Sequence, residues 1–287
     1  MDDQALETVW ALLEAGANLV DTVPLYGGGR SETLIGRALR ARRDLAANCI
    51  LSTKTGRYGA VSDYSYDRTL RSMERSLERL GVSHLPIVHI HGVSTEEELT
   101  EILRSKAAHT ALRKLQSEGI IDSIGIGTRS LDALHFALKS GEFDVVMIAN
   151  QYNLLEQAGR PVIEEARQRD IGVIIAGAYA TGILAKGNAD PRSQYLYRPA
   201  DQGVRQRVAE LGDMCRRWGC SLAGIAVQFC LRGPVAVAVT VLGARGRQQA
   251  EENAVAVAEQ IPSGLWVELD TWLQTHAQAG PRGIRTS

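Results

Sequence analysis

Short runs of consecutive apolar residues alternate along the chain with longer segments in which apolar residues return at helical spacing. The runs fall at residues 18–21, 49–53, 85–90, 120–126, 143–149, 171–175 and 235–242 and are rich in Val and Ile. That composition predicts strands covered on both faces, as in a parallel sheet. Leu6, Val9, Leu12 and Leu13 share one helical face before the first run, and Leu70, Met73, Leu77 and Leu80 share another before the third. Further helices are expected over 32–41, 130–139, 204–218, 221–231, 248–260 and 265–275, with a polar, helical insertion ending at Leu115 and another helix before residue 171. A loop rich in Gly, Pro and Tyr spans 180–202.

Strict alternation of strand and helix implies either an open doubly wound sheet or a closed (β/α)8 barrel. No G-x-G-x-x-G follows any strand, and polar residues of interest follow several different strands, as in a site at a barrel's C-terminal face. A TIM barrel, in a single domain over residues 1–287, is therefore expected. Seven runs are present where eight are needed, so the strand that should precede the helix at Leu6 is missing from this sequence.

The candidate chemistry centres on residues 17–36. There a short strand ends in Asp21, a turn presents Tyr26 beside Gly27, Gly28 and Gly29, and Ser31-Glu32 opens a helix. Two later strands deliver Lys54 and His91. A tyrosine hydroxyl ordinarily titrates near 10, so proton exchange near neutrality calls for a neighbouring cation, a role open to Lys54. A buried lysine needs a partner to stay charged, and Asp21 could be it. His91 would orient a carbonyl or hydroxyl oxygen. His89, two residues earlier, points to the same side of its strand, and spacing alone does not separate the two. The set suits interconversion of a carbonyl and an alcohol with Tyr26 as general acid/base, and hydride transfer implies a nicotinamide.

Composition narrows the partners. The chain has 287 residues, 45% of them hydrophobic, and a formal net charge of −1 with scattered basic residues. Neither nucleic acid nor an anionic membrane is expected, and no apolar run reaches the roughly 20 residues of a membrane span. Cys49, Cys215, Cys220 and Cys230 show no C-x-x-C pair or metal-ligand spacing and read as thiols of a reducing compartment, so a cytoplasmic location is expected. Tyr195 and Tyr197 could either line a substrate mouth or pack the loop that carries them.

These residues resemble the aldo-keto reductase superfamily over nearly the whole chain. The resemblance is carried by D-T-x-x-x-Y-G at Asp21, T-K-x-G at Thr53, R-S-x-x-x-S-L-x-R-L at Arg71, I-H at Ile90, the segment 119–127, and Asn150-Gln151-Tyr152-Asn153. The segments 176–185, 243–253 and 261–266 look like the branch of sugar 1-dehydrogenases and pyridoxal dehydrogenases. The resemblance implies that Asp21, Tyr26, Lys54 and His91 are catalytic. It also implies that NAD or NADP is held by Thr128, Gln151, Tyr179, Thr181, Gly182, Leu184, Gly243, Arg245, Arg247, Glu252 and Asn253, with no metal. The substrate would be a small sugar-like molecule, and a homo-oligomer is compatible with the sequence.

There are departures. Pro86 replaces a usual Asp, and Thr128-Arg129 stands where the family has Ser-Asn or Met-Asn. Gln249 occupies a position that is often an arginine in NADP users, which tilts the expectation toward NAD. The alternatives are a pyridoxal-type dehydrogenase, or a catalytically impaired barrel that binds a ligand or partner.

Overall fold

The computed structural model describes residues 2–186, 193–233 and 237–276. Among the described residues seven strands build the main sheet: β1 (Leu19–Asp21), β2 (Ile50–Thr55), β3 (Leu85–His91), β4 (Ile121–Thr128), β5 (Val145–Ala149), β6 (Gly172–Ala176) and β7 (Val237–Val241). They form one parallel sheet in sequence order. The start of the expected run 235–242, Val235 and Ala236, lies outside the described residues. The principal helices are α1 (Asp2–Glu14), α2 (Arg30–Ala41), α3 (Tyr66–Leu80), α4 (Glu96–Leu103), α5 (Ala108–Ser117), α6 (Leu131–Ser140), α7 (Arg160–Gln168), α8 (Gln202–Trp218), α9 (Leu222–Leu231), α10 (Arg247–Ala258) and α11 (Ser263–His276). The sequence had α4 and α5 as one polar insertion.

The sheet curls into a nearly closed barrel with helices outside. Among the described residues β1 and β7 approach one another but share no hydrogen-bonded ladder, and α1 packs against α10 across that seam. The Val and Ile pattern is explained by the outward faces: Val88, Ile90, Ile124, Ile126, Val146, Ile148, Val173 and Ile175 are all buried among the surrounding helices. Inner strands are thus covered on both sides, whereas β1 and β7 at the seam are only half-buried along most of their length.

The register fixes what faces inward. Asp21 pairs with Ser52, Lys54 with His89, His89 with Gly125, and His91 with Gly127. Residues two apart on a strand share a face, so Ser52, Lys54, His89, His91, Gly125 and Gly127 all belong to the interior face. This interior is polar and glycine-rich toward the C-terminal ends of the strands. Two short antiparallel hairpins, Arg57–Tyr58 with Val61–Ser62 and Gln194–Tyr195 with Arg198–Pro199, were not expected from the sequence.

Candidate active site

Lys54 is 4% exposed and donates from Nζ to Asp21 Oδ2 and to the Thr22 carbonyl at 3.0 Å. Ser52 Oγ donates to the other Asp21 oxygen at 2.8 Å. The neighbouring strand ends therefore deliver an ammonium and a carboxylate to one spot, each with further hydrogen bonds, which is what a buried ion pair needs to persist. Burial pulls the Lys54 pKa below its ordinary value, and the Asp21 carboxylate opposes that shift.

Tyr26 opens the turn Tyr26–Gly29. Gly27, Gly28 and Gly29 have φ of 61°, 64° and 96°, the left-handed region that glycine enters without steric cost. A Cβ on Gly29 would lie 2.8 Å from the Arg79 side chain, so glycine is also what lets the turn rest on that arginine. Arg79 in turn donates from Nε to Glu32 at 2.6 Å, and Thr53 Oγ1 donates to the same carboxylate at 2.7 Å. Glu32 is fully buried. Thr22 and Ser31 share a hydroxyl hydrogen bond of 2.9 Å across the base of the loop. The Tyr26 loop is thus tied to the strand that carries Lys54.

Tyr26 itself is 55% exposed. Its pKa is raised, first by partial desolvation, then by the Asp21 carboxylate and by Tyr197. The sequence expectation that Lys54 would depress it is corrected here. The lysine charge is matched by Asp21, whose own negative charge disfavours a phenolate nearby.

His91 ends β3 and is half-buried. Burial, the Lys54 charge and the Arg57 guanidinium bring its pKa down to about 4. His89 is fully buried and its pKa lies well below 6.5, through burial, Lys54 and His91. Both imidazoles are neutral at pH 7. The unfolded chain takes up these protons first, so their contribution to stability is intact above about 6.5 and is lost as the pH falls toward 4. Acidification from pH 7 to 4 is expected to cost about 2–3 kcal/mol through His91 alone, allowing for solvent screening. Urea unfolding at both pH values checks this: His91→Gln should show a smaller loss than the unaltered protein, and an equal loss would contradict it.

The residues expected at a cofactor lie around the same end of the barrel. Gln151 follows β5 and donates to the Arg129 carbonyl at 3.0 Å. The Thr128 hydroxyl donates to the Val93 carbonyl and accepts from the Ser130 N–H at 3.0 Å, so it braces its own loop. Tyr179 follows β6, and its pKa is pushed to about 12 by burial, Cys230 and Glu252. Ala180, Thr181 and Gly182 are all left-handed, with φ of 46°, 64° and 93°. Thr181 Oγ1 accepts from the Leu196 N–H at 3.0 Å, tying this turn to the segment that carries Tyr197. Leu184 is fully buried in a second apolar core and donates its N–H to the Tyr179 carbonyl at 3.2 Å, so it is engaged within the protein.

Beyond β7, a Cβ on Gly243 would touch nothing, and Asn253 Nδ2 donates to the Gly243 carbonyl at 3.3 Å. Gln249 Oε1 accepts from the Arg245 N–H at 2.8 Å, Arg247 pairs with Glu251 at 2.8 Å, and Gln248 donates to Glu252 at 2.8 Å. The N-cap of α10 is Gly246, which has no side chain to satisfy the first helical N–H groups.

Of the two tyrosines on the loop after β6, Tyr197 is exposed and acts on Tyr26, while Tyr195 packs against the second core. Sequence reasoning missed Glu32 and Arg79. A signal for Glu32 was present, because helical spacing places it on the same face as the buried Ile35, Gly36 and Leu39. Among the described residues all four cysteines are free, no cluster of His, Cys, Asp and Glu could hold a metal ion, and no helix is long and apolar enough to cross a membrane.

A parallel barrel with a buried Lys–Asp pair, a tyrosine and a histidine gathered at the C-terminal ends of its strands defines a (β/α)-barrel enzyme. Residues 1–273 match the Aldo/keto reductase family, and the chain belongs to that family of oxidoreductases. It is 31% identical to a D-threo-aldose 1-dehydrogenase of a Pseudomonas species, over 93% of this chain and 87% of that protein. It is 28% identical to a pyridoxal 4-dehydrogenase of Microbacterium luteolum, over 93% and 86%. Among solved structures, an aldo-keto reductase of Bacillus halodurans in its holo form superposes with a TM-score of 0.76 at 23% identity, covering 95% of this chain and 88% of that one. The glycerol dehydrogenase of Gluconobacter oxydans gives 0.77 at 23% identity, covering 99% and 89%.

Proposed function

We propose that this protein is an NAD(P)-dependent oxidoreductase that interconverts a carbonyl or lactone with an alcohol or lactol on a small sugar-like substrate, Tyr26 acting as general acid/base. The observation that carries the reading is the buried Lys54–Asp21 pair, set on the same barrel end as the exposed Tyr26 and a neutral His91. The similarity to a D-threo-aldose 1-dehydrogenase supports a sugar-like substrate.

The residues fit a dinucleotide. The uncapped start of α10 supplies free backbone donors, and the open space at Gly243 and Gly182 leaves room for phosphates. Gln151 and Tyr179 would hold the nicotinamide end, and Arg245, Arg247, Glu252 and Asn253 the other. When bound, the nicotinamide supplies or takes up the hydride. Tyr26, whose raised pKa keeps it protonated at neutral pH, gives its proton to the carbonyl oxygen during reduction and recovers it during oxidation. His91 donates a hydrogen bond to that oxygen.

NAD is favoured over NADP because Gln249 is neutral and is turned back onto the Arg245 amide. Titrating nicotinamide fluorescence should show tighter NADH than NADPH binding, with Gln249→Arg raising NADPH affinity about tenfold, the size of one charge-assisted contact. Tighter NADPH binding by the unaltered protein would overturn the preference, and no binding of either would overturn the function.

A further inference from the structure

Three enclosed nitrogens in the barrel interior have no partner within the protein: Nδ1 and Nε2 of His89 and Nδ1 of His91. A neutral imidazole carries one donor and one acceptor, and a buried polar group left without a partner is destabilising. His89 is completely enclosed, so its needs cannot be met by bulk solvent.

The glycines opposite these rings are unequal. A Cβ on Gly125 would fall 2.2 Å from His89 Nδ1, so the His89 ring occupies the space that a side chain would take there. A Cβ on Gly127, the register partner of His91, would meet nothing nearer than Met147 at 3.7 Å and His89 Cβ at 4.0 Å. A methyl group at Gly127 would thus make only ordinary contacts, with Met147 and the His89 Cβ, while His89 and His91, two residues apart on β3, present their rings to the same interior face. Enclosed nitrogens without protein partners on one face of a strand are the groups that a buried water satisfies.

His91 has a chemical need that such a water meets. Its Nδ1 lies on the buried edge of a half-buried ring, which leaves Nε2 on the open edge toward the barrel mouth. To donate a hydrogen bond to a substrate oxygen, a neutral His91 must carry its proton on Nε2, and Nδ1 must then accept from a donor. No donor within the protein reaches Nδ1.

We propose that His89 is a positioning residue: its ring N–H holds one buried water between the two imidazoles, and that water donates to His91 Nδ1, fixing the Nε2–H tautomer that faces the substrate. The proposal rests on the oxidoreductase reading for its catalytic consequence, but not for its structural content. Each hydrogen bond in the chain has one donor and one acceptor, from the His89 N–H to water, from water to His91 Nδ1, and from His91 Nε2–H outward.

The test is imidazole ¹⁵N NMR on the cofactor-free full chain, with steady-state turnover alongside. Variants are His89→Leu, which removes the donor, and His89→Gln, which keeps an N–H. The unaltered protein and His89→Gln should show His91 as the Nε2–H tautomer. His89→Leu should shift His91 toward Nδ1–H and lower kcat about 10- to 100-fold with cofactor Kd unchanged. An unaltered Nε2–H signal in His89→Leu, or Nδ1–H in the unaltered protein, would overturn the proposal even if the enzyme turns over nicotinamide normally. A tautomer that shifts as expected in a protein that never turns over nicotinamide would instead sustain the positioning role and sink the oxidoreductase reading.

Discussion

Replacing Tyr26 by phenylalanine is expected to lower kcat by about 10²–10⁴ while leaving nicotinamide affinity nearly unchanged. Phenylalanine keeps the ring on the Tyr26–Gly29 turn and removes only the hydroxyl. The large effect follows because the other polar groups gathered at this end are already committed. Lys54 is held by Asp21 and the Thr22 carbonyl, and neutral His91, with its pKa near 4, is a poor proton donor. Since partial burial and Asp21 raise the Tyr26 pKa, carbonyl reduction should stay level well into the alkaline range, with alcohol oxidation rising with pH. Steady-state kinetics in both directions test this, and near-normal turnover in Tyr26→Phe would remove the tyrosine from the mechanism.

Replacing Arg79 by methionine should cost about 3–5 kcal/mol of stability, because it leaves the fully buried Glu32 carboxylate without its charged partner. Thr53 would remain as a hydrogen-bond donor, which is insufficient for a carboxylate removed from water. The loss should exceed that of Arg217→Met, whose pair with Glu268 is exposed and screened by solvent. Urea unfolding of both variants decides it. Arg79 also lies under Gly29, so kcat should fall in Arg79→Met even at temperatures where the variant remains folded.

The strand and helix order was legible in the sequence because parallel strands covered on both faces must be continuous Val and Ile runs, and the helices over them must be amphipathic. The same logic placed Asp21, Lys54 and His91 at strand ends. It failed where structure depends on pairings between distant segments. The hairpin at Arg57–Tyr58 is too short to register as a periodic pattern, yet it brings Arg57 close enough to act on His91. The direction of the Tyr26 pKa is set first by its partial burial and then by Asp21 and Tyr197, a matter of geometry rather than of residue type. Thr128 illustrates the same limit: its position at the end of β4 was readable, but not the Val93 carbonyl and Ser130 amide that occupy its hydroxyl. His89 and His91 were indistinguishable by spacing, and only the register and enclosure separate a buried ring from one at the mouth.

Hydride transfer is the central claim, and isotope tracing tests it most directly. The unaltered protein, incubated with NAD and a panel of aldoses deuterated at C1, should move deuterium onto the nicotinamide ring while the sugar is oxidised, and Tyr26→Phe should do so far more slowly. Deuterium released to solvent, or no label on the nicotinamide with any aldose in the presence of NAD or NADP, would contradict the account.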